Sequence, residues 1–338
     1  MRRLAVTTMS EVEPAGRTQV GRQRRGWFVI GERNMNTQPV VMHPDQVQIA
    51  DDVVRTLIHD QFPQWRGLPV TPMRSTGTEN ALYRIGEELV ARFPLHAGSV
   101  EQTRRSLEAE AVAARELLGQ TPFCTPEPVA IGEPGEGYPV PWSVQTWVPG
   151  TVATVADPGN SLPFAEDLAE FIHALRAIDT RGRRFAGPGR GGNLPDHDGW
   201  MQTCFSRSDR LLDVARLRRM WAEFRVLPGG GPEVMSHRDL IPGNVLVTDG
   251  RLAGIIDVGG FGPADPALDL VAAWHLLEDE PRQALRSLLH CDDVEWERGK
   301  AWAFEQSMGL VWYYESSNPT MSRMGRRTLD RIQACSPV

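Results

Sequence analysis

The octet His237-Arg238-Asp239-Leu240-Ile241-Pro242-Gly243-Asn244 holds side chains that can do chemistry on a phosphate. Asp239 offers a carboxylate to an incoming hydroxyl. Asn244, five residues on, offers an amide oxygen that can turn back toward a metal ion. Thirteen residues past Asn244 stands Asp257, within Ile255-Ile256-Asp257-Val258-Gly259. Phosphoryl transfer asks a protein for positioning and charge neutralisation rather than covalent work. An amide oxygen and a carboxylate, completed by phosphate oxygens and water, suit Mg²⁺. A His-x-Asp triplet alone reads equally as a capped turn whose aspartate satisfies backbone amides. The five-residue step to Asn244 and the return to Asp257 favour chemistry. His237 itself reads as a hydrogen-bonding group that holds the loop.

These residues need elements to hold them. Val245-Leu246-Val247 reads as a strand that reverses through Thr248-Asp249-Gly250, and its partner strand brings Asp257 back beside Asn244. Upstream, apolar residues from Val47 to Phe62 recur at three- and four-residue spacing, predicting a helix. Strands follow at Leu68 to Met73, Ala81 to Ile85 and Glu88 to Phe93, with a long helix over 99–119 and strands at Val129 to Ile131 and Trp142 to Val148. Past Pro149-Gly150 the pattern turns helical: Leu162 to Ile178, Asp209 to Phe224, 266–277, 281–290, 294–315 and 320–334. Arg181 to Asp198 reads as a Gly/Arg-rich loop. The expected fold class is α+β and bilobal: residues 43–149 form a small antiparallel-β lobe with one helix, and 150–335 a larger helical lobe.

Composition narrows the chemistry. Of 36 basic residues in 338, only Lys300 is a lysine, so a fixed cation elsewhere must be arginine. The four cysteines lie far apart, without metal-ligand or redox spacing, which fits a reducing cytoplasm. No apolar run is long enough for a membrane span, and no secretory leader is legible. Residues 1–42 carry seven Arg and three Glu and little periodicity; they read as a disordered basic tail, with Met42 a candidate start. The remaining chain is acidic, which argues against a nucleic-acid partner.

Together these motifs resemble the aminoglycoside phosphotransferase family, small-molecule phosphotransferases with a protein kinase-like fold. Gly77 to Ile85 with Leu89-Val90-Ala91-Arg92-Phe93-Pro94 is similar to that family's nucleotide-covering hairpin and following strand. Pro141 to Gly150 is similar to its interlobe hinge, and Asp265-Pro266-Ala267-Leu268-Asp269-Leu270 to its element after the metal aspartate. The likeness spans about residues 43–320. It departs from protein kinases: there is no Gly-x-Gly-x-x-Gly, Asp257-Val258-Gly259 replaces Asp-Phe-Gly, and no Ala-Pro-Glu follows.

The resemblance implies Asp239 as base, Asn244 and Asp257 as Mg²⁺ ligands, and ATP as donor, with GTP left open. It places the family's phosphate-contacting lysine on Arg92. Glu110 becomes its helix partner, ahead of Glu108, and Arg84 is the alternative source of charge. Gln145 falls at the back of the nucleotide pocket, and the Thr146 carbonyl and Val148 amide on the adenine. Asp265 reads as a helix N-cap and Asp269 as a bridge to the catalytic loop. Asp196, Asp198, Asp209 and Glu315 fall where the family places acidic acceptor contacts, and the loop Arg190 to Asp198 covers the acceptor site. The acceptor is a small-molecule hydroxyl, with no membrane partner and the oligomeric state open. The alternative is a kinase-like nucleotide-binding scaffold or sensor without phosphotransfer.

Overall fold

A computed structural model describes residues 47–73, 79–96, 98–187, 189–229 and 231–335. The expected basic tail and the tip of the nucleotide-covering hairpin lie outside them. The first helix, α1 (Asp51–Gln61), buries Val54, Leu57 and Ile58. It starts later than its apolar spacing suggests, because Val47 gives its N–H to Leu95 O at 2.8 Å and stays extended.

Next come β1 (Val70–Met73), β2 (Asn80–Ile85), β3 (Leu89–Pro94), α2 (Val100–Leu117), β4 (Pro128–Gly132) and β5 (Trp142–Thr146). The strands make one antiparallel sheet in the order β1-β2-β3-β5-β4. Side chains alternate across it. Tyr83, Ile85, Ala91, Phe93, Trp142 and Val144 face α1 and form one core, in which Phe93 stacks on Trp142 at 4.6 Å. The opposite face carries Leu82, Val90, Arg92, Ser143 and Gln145, and α2 covers part of it.

Beyond the hinge lie β6 (Thr151–Val152), α3 (Ala153–Ala156), α4 (Leu162–Ala177), α5 (Asp198–Ser208), α6 (Val214–Phe224), β7 (Val234–Ser236), β8 (Val245–Thr248), β9 (Arg251–Ile255), β10 (Gly262–Ala264), α7 (Val271–Leu276), α8 (Asp279–Leu288), α9 (Asp293–Tyr313) and α10 (Pro319–Ala334). Every residue of α9 from Arg298 to Val311 is buried, so this helix is the axis on which α5, α7 and α10 pack.

Three expectations fail here. The loop read up to Asp198 ends in a short 3₁₀ turn, Leu194–His197, and α5 begins at Asp198. The helix read from Asp209 begins at Val214, where Asp213 caps it by accepting from Arg216 N at 3.2 Å. Met201, Cys204, Phe205 and Ser208 line the buried face of α5. Gly199, Thr203 and Ser206 among them weaken the helical signal. The helix read over 266–277 is a 3₁₀ turn, Leu268–Leu270, followed by α7. Asp265 does cap, accepting from Ala267 N at 3.0 Å, but it caps that turn and not a regular helix.

The other Asp265 oxygen is buried under the Arg298 guanidinium and takes Trp302 Nε1–H at 2.8 Å. Both charged side chains are about 95% removed from solvent, at 5% and 4% exposure. Asp265→Ala would strand a buried guanidinium. We expect it to lower the unfolding free energy by about 3–5 kcal/mol, read from urea denaturation. Asp265→Asn, which keeps the turn cap, should cost less.

Candidate active site

The loop between β7 and β8 is held from behind by one carboxylate. Asp269 accepts from Ser236 Oγ at 2.8 Å, His237 N at 3.0 Å and Arg238 N at 3.1 Å. This is the bridge to the catalytic loop that the sequence suggests. His237 is fully buried. Its Nδ1 accepts from Asp239 N at 3.3 Å, so Nε2 carries the proton and donates to Ile256 O at 3.1 Å. The imidazole therefore pins the Asp239 backbone to the residue before Asp257. The register closes the same gap: Val245 pairs with Ile255, and Ile256 N donates to Asn244 O at 2.9 Å. Arg238 at φ 71° and Asp257 at φ 61° both adopt left-handed backbone, a strain that only a tightly held loop keeps.

Asp239 is surrounded by donors. Its Oδ1 accepts from Gln306 Nε2 at 2.9 Å and Arg190 Nη2 at 3.2 Å, and its Oδ2 accepts from Asn244 Nδ2 at 3.0 Å. Gln306 is itself oriented, because its Oε1 takes a hydrogen bond from His275 Nε2 at 3.0 Å. Burial drives the His275 pKa down to about 3, so the ring is neutral, and its Nδ1 lies 2.8 Å from Thr328 Oγ1. Burial also pushes the Asp239 carboxyl up to about 6, with Asp257 adding repulsion while Arg190 and Gln306 oppose the rise. A carboxylate oxygen has two lone pairs. Oδ1 is filled, and Oδ2 has one site left.

Arg92 leaves β3 toward α2 and splits its fork. Nη1 lies 3.3 Å from Glu110 Oε2, and Nη2 lies 3.2 Å from Asp257 Oδ1. Burial works against the Arg92 charge, but Glu110 and Asp257 together outweigh it and hold its pKa above the usual arginine range. Burial raises the Glu110 carboxyl, Arg92 pulls it back, and Asp257 adds to the rise. Glu108 is exposed on the far side of α2. Arg84 is turned away as well: it stacks 3.9 Å over the Trp147 ring and hydrogen-bonds Gly86 O. Lys300 lies in α9, paired with Glu297 at 2.6 Å.

Behind Arg92 a cavity of about 320 Å³ is lined by Glu110, Gln145, Val258 and Gly259 among others. A Cβ on Gly259 would meet Glu110 Cγ at 2.5 Å, so α2 rests directly on the backbone after Asp257.

The hinge has a free carbonyl for a specific reason. Thr146 N donates to Glu127 O at 2.9 Å. The reciprocal bond of an antiparallel pair would run from Glu127 N to Thr146 O. Glu127 N goes instead to Thr146 Oγ1 at 2.8 Å, so the hydroxyl replaces the carbonyl and leaves it for a ligand. Among the described residues, no carbonyl takes the Val148 N–H, while the Val148 side chain is buried against Leu246 and Ile256.

Asn244 Oδ1 is buried and has no hydrogen-bond partner. Its amide nitrogen is committed to Asp239 O and Oδ2, so the oxygen is the group left over, on the residue whose carbonyl takes Ile256 N next to Asp257. An orphaned amide oxygen beside a carboxylate fits a hard cation such as Mg²⁺. Among the described residues, no three His, Cys, Asp or Glu side chains gather to cage a softer metal.

A profile of the phosphotransferase enzyme family matches residues 73–302. The chain belongs to this family. This phosphotransferase also shares 39% identity over 62 residues with an aminoglycoside 3'-phosphotransferase of Escherichia coli, a match covering 18% of this chain and 23% of that one. The match thus spans under a quarter of that curated relative. Two solved structures share the fold. One is the GDP complex of aminoglycoside 2'-phosphotransferase-IIIa, with TM-score 0.64, 19% identity, and 84% and 98% of the two chains covered. The other is a macrolide 2'-phosphotransferase from Brachybacterium faecium, with TM-score 0.55, 16% identity, and 81% and 98% covered. The protein kinase-like fold and the phosphotransferase class follow.

The acidic residues read as acceptor contacts do not gather at Asp239. Asp198 is spent on Arg225 and Trp221 Nε1, and Arg225 holds its carboxyl below the usual range. Asp196 takes Asn193 Nδ2 at 3.3 Å, and Asp209 and Glu315 are exposed. Sequence reasoning missed Arg190, Gln306 and His275. The available signal for Arg190 was its place between glycines, in Gly189-Arg190-Gly191-Gly192.

The contact between Gly259 and α2 is testable. Gly259→Ala should drive Glu110 off Arg92, weaken binding of MgATP several-fold and cost about 1–3 kcal/mol of stability. Isothermal titration and thermal unfolding check both. Unchanged affinity would mean that α2 can shift without disturbing Arg92.

Proposed function

We propose that this phosphotransferase moves the γ-phosphate of ATP to a hydroxyl of a small molecule. The observation that carries the reading is the unpaired, buried Asn244 Oδ1 on the residue whose amide nitrogen holds Asp239 Oδ2, an oxygen that keeps one lone pair open. In this reading the acceptor hydroxyl approaches Oδ2. Its oxygen bonds to the γ-phosphorus, its proton passes to Asp239, and the bond to the bridging oxygen of ADP breaks. Asn244 and Asp257 hold Mg²⁺, which neutralises phosphate charge. Arg92 contacts the phosphates, kept in place by Glu110. The Thr146 carbonyl and Val148 amide take the adenine, with Gln145 behind it. His237 and Asp269 fix the loop.

Structural neighbours described in complex with GDP, GDP and kanamycin, ADP, or gentamicin guide the first assays. ADP or GDP release with MgATP or MgGTP is measured against kanamycin, gentamicin, streptomycin and a macrolide, and the product is checked by mass for one added phosphoryl group. Nucleotide binding without release in any mixture would favour the scaffold alternative.

Asp239→Asn should keep nucleotide affinity and lower turnover by about 10²–10⁴-fold. Because the carboxyl is raised to about 6, it is protonated and idle below that pH. kcat/KM should therefore fall as pH drops through about 6 and level off above it, and Asp239→Asn should lose this limb. Arg92→Ala should raise KM for ATP and lower kcat, and Arg92→Lys should recover only part, since the ammonium cannot bridge Glu110 and Asp257 as the fork does. Steady-state kinetics across ATP concentrations decide. Wild-type kcat/KM in Arg92→Ala would remove Arg92 from the phosphate site.

A further inference from the structure

We propose that Arg190 is a positioning residue for Asp239, the helical-lobe counterpart of Arg92. The inference rests on the phosphotransfer reading for its kinetic consequence, though not for its geometry. Each arginine joins one reacting-centre carboxylate to one glutamate: Arg92 joins Asp257 to Glu110, and Arg190 joins Asp239, at 3.2 Å, to Glu305, at 3.8 Å. Arg190 keeps only 7% of its side-chain surface exposed and Glu305 none. Glu305 is oriented in turn, because its Oε1 lies 2.9 Å from His197 Nδ1 in the turn that leads into α5.

A plain tether for the loop is a poor explanation of Arg190, because other contacts already hold the loop. Asp265 N donates to Gly191 O at 2.8 Å, and Phe185 N is bound to the Glu233 carboxylate. Phe185 lies 5.1 Å under the Arg238 guanidinium. Gly191, at φ 128°, fits so closely that an added Cβ would stand 2.8 Å from the Phe185 ring and 3.0 Å from Ala264 Cβ. Gly191, directly after Arg190, lets the chain come this close, Gly189 before it takes a φ of 131° that other residues disfavour, and the arginine they frame turns inward.

What Arg190 changes is the carboxylate. Gln306 and Arg190 share Oδ1 and Asn244 holds Oδ2, so the three donors fix the plane of the carboxyl group. That plane aims the single open lone pair of Oδ2 at the acceptor side. Without Arg190 the carboxyl group can turn about its Cβ–Cγ bond, and the open lone pair no longer meets the hydroxyl.

The test uses the full chain with MgATP, reading ADP release with water as acceptor and with kanamycin as probe. Arg190→Ala should lower kcat on the order of 10²-fold, the usual penalty of a misplaced reacting group, with KM for MgATP within about twofold. Arg190→Lys should recover part of the loss. In an Asp239→Asn background, Arg190→Ala should bring no further loss, because the two act as one unit. Additive losses would overturn the inference, as would wild-type kcat in Arg190→Ala. A crystal structure of Arg190→Ala provides a readout that needs no activity. It should show the Asp239 carboxyl group turned away from Gln306 or Asn244, and a carboxylate unmoved on both partners would overturn the inference. Wild-type protein that releases no ADP in any mixture would instead defeat the phosphotransfer reading, and the crystallographic arm would still decide on Arg190.

Discussion

Two carboxylates, Asp239 and Asp257, lie close enough to repel each other, and the charges around them are arranged to offset that repulsion. Burial raises the pKa of Asp239, and Asp257 adds to the rise. Each acid is met by a guanidinium, from opposite lobes, and each guanidinium is held by a glutamate. Arginine suits this because a planar fork can span two carboxylates, whereas an ammonium is a point charge. The fork on Arg92 reaches from the sheet to Asp257, so that aspartate is held by the small lobe even though it follows β9 of the large one.

The loop itself depends less on charge than on hydrogen bonds without slack. Asp269 gathers three donors, and His237 joins the backbone of Asp239 to that of Ile256. Buried groups paired this fully cannot shift without leaving a polar atom bare, at a penalty of about 1–3 kcal/mol each. Asn244 Oδ1 and Arg238 Nε are the loop's exceptions, and of the two only the oxygen can serve as a ligand to a cation.

Much of this was legible in the sequence where the signal is local. The step from Asp239 to Asn244 and the hairpin back to Asp257 are short-range geometry, and the structure brings them together as the spacing suggests. The family resemblance placed the phosphate-contacting cation on Arg92, the lysine-poor composition fits an arginine there, and Arg92 stands between Glu110 and Asp257. What stayed hidden is tertiary. Arg190 and Gln306 meet Asp239 across 49 and 67 residues, and no period or motif announces such contacts. α5 was missed because polar and glycine positions dilute its apolar face. Asp265 looked like a cap, and its larger role, under Arg298 and Trp302, depends on a helix more than thirty residues away.

The lysine-poor composition has a last consequence, in covalent reactivity. The one side-chain amine of the chain, on Lys300, is folded against Glu297 and lies 5.3 Å from the Trp274 ring, with 7% of its side chain exposed. Acyl donors, aldehydes and activated esters, whose carbonyls free amines attack, meet no exposed lysine amine on this chain. The cation beside Asp257 is a guanidinium and is equally inert to them. A site that elsewhere could be silenced by acetylating one lysine is here beyond the reach of that chemistry.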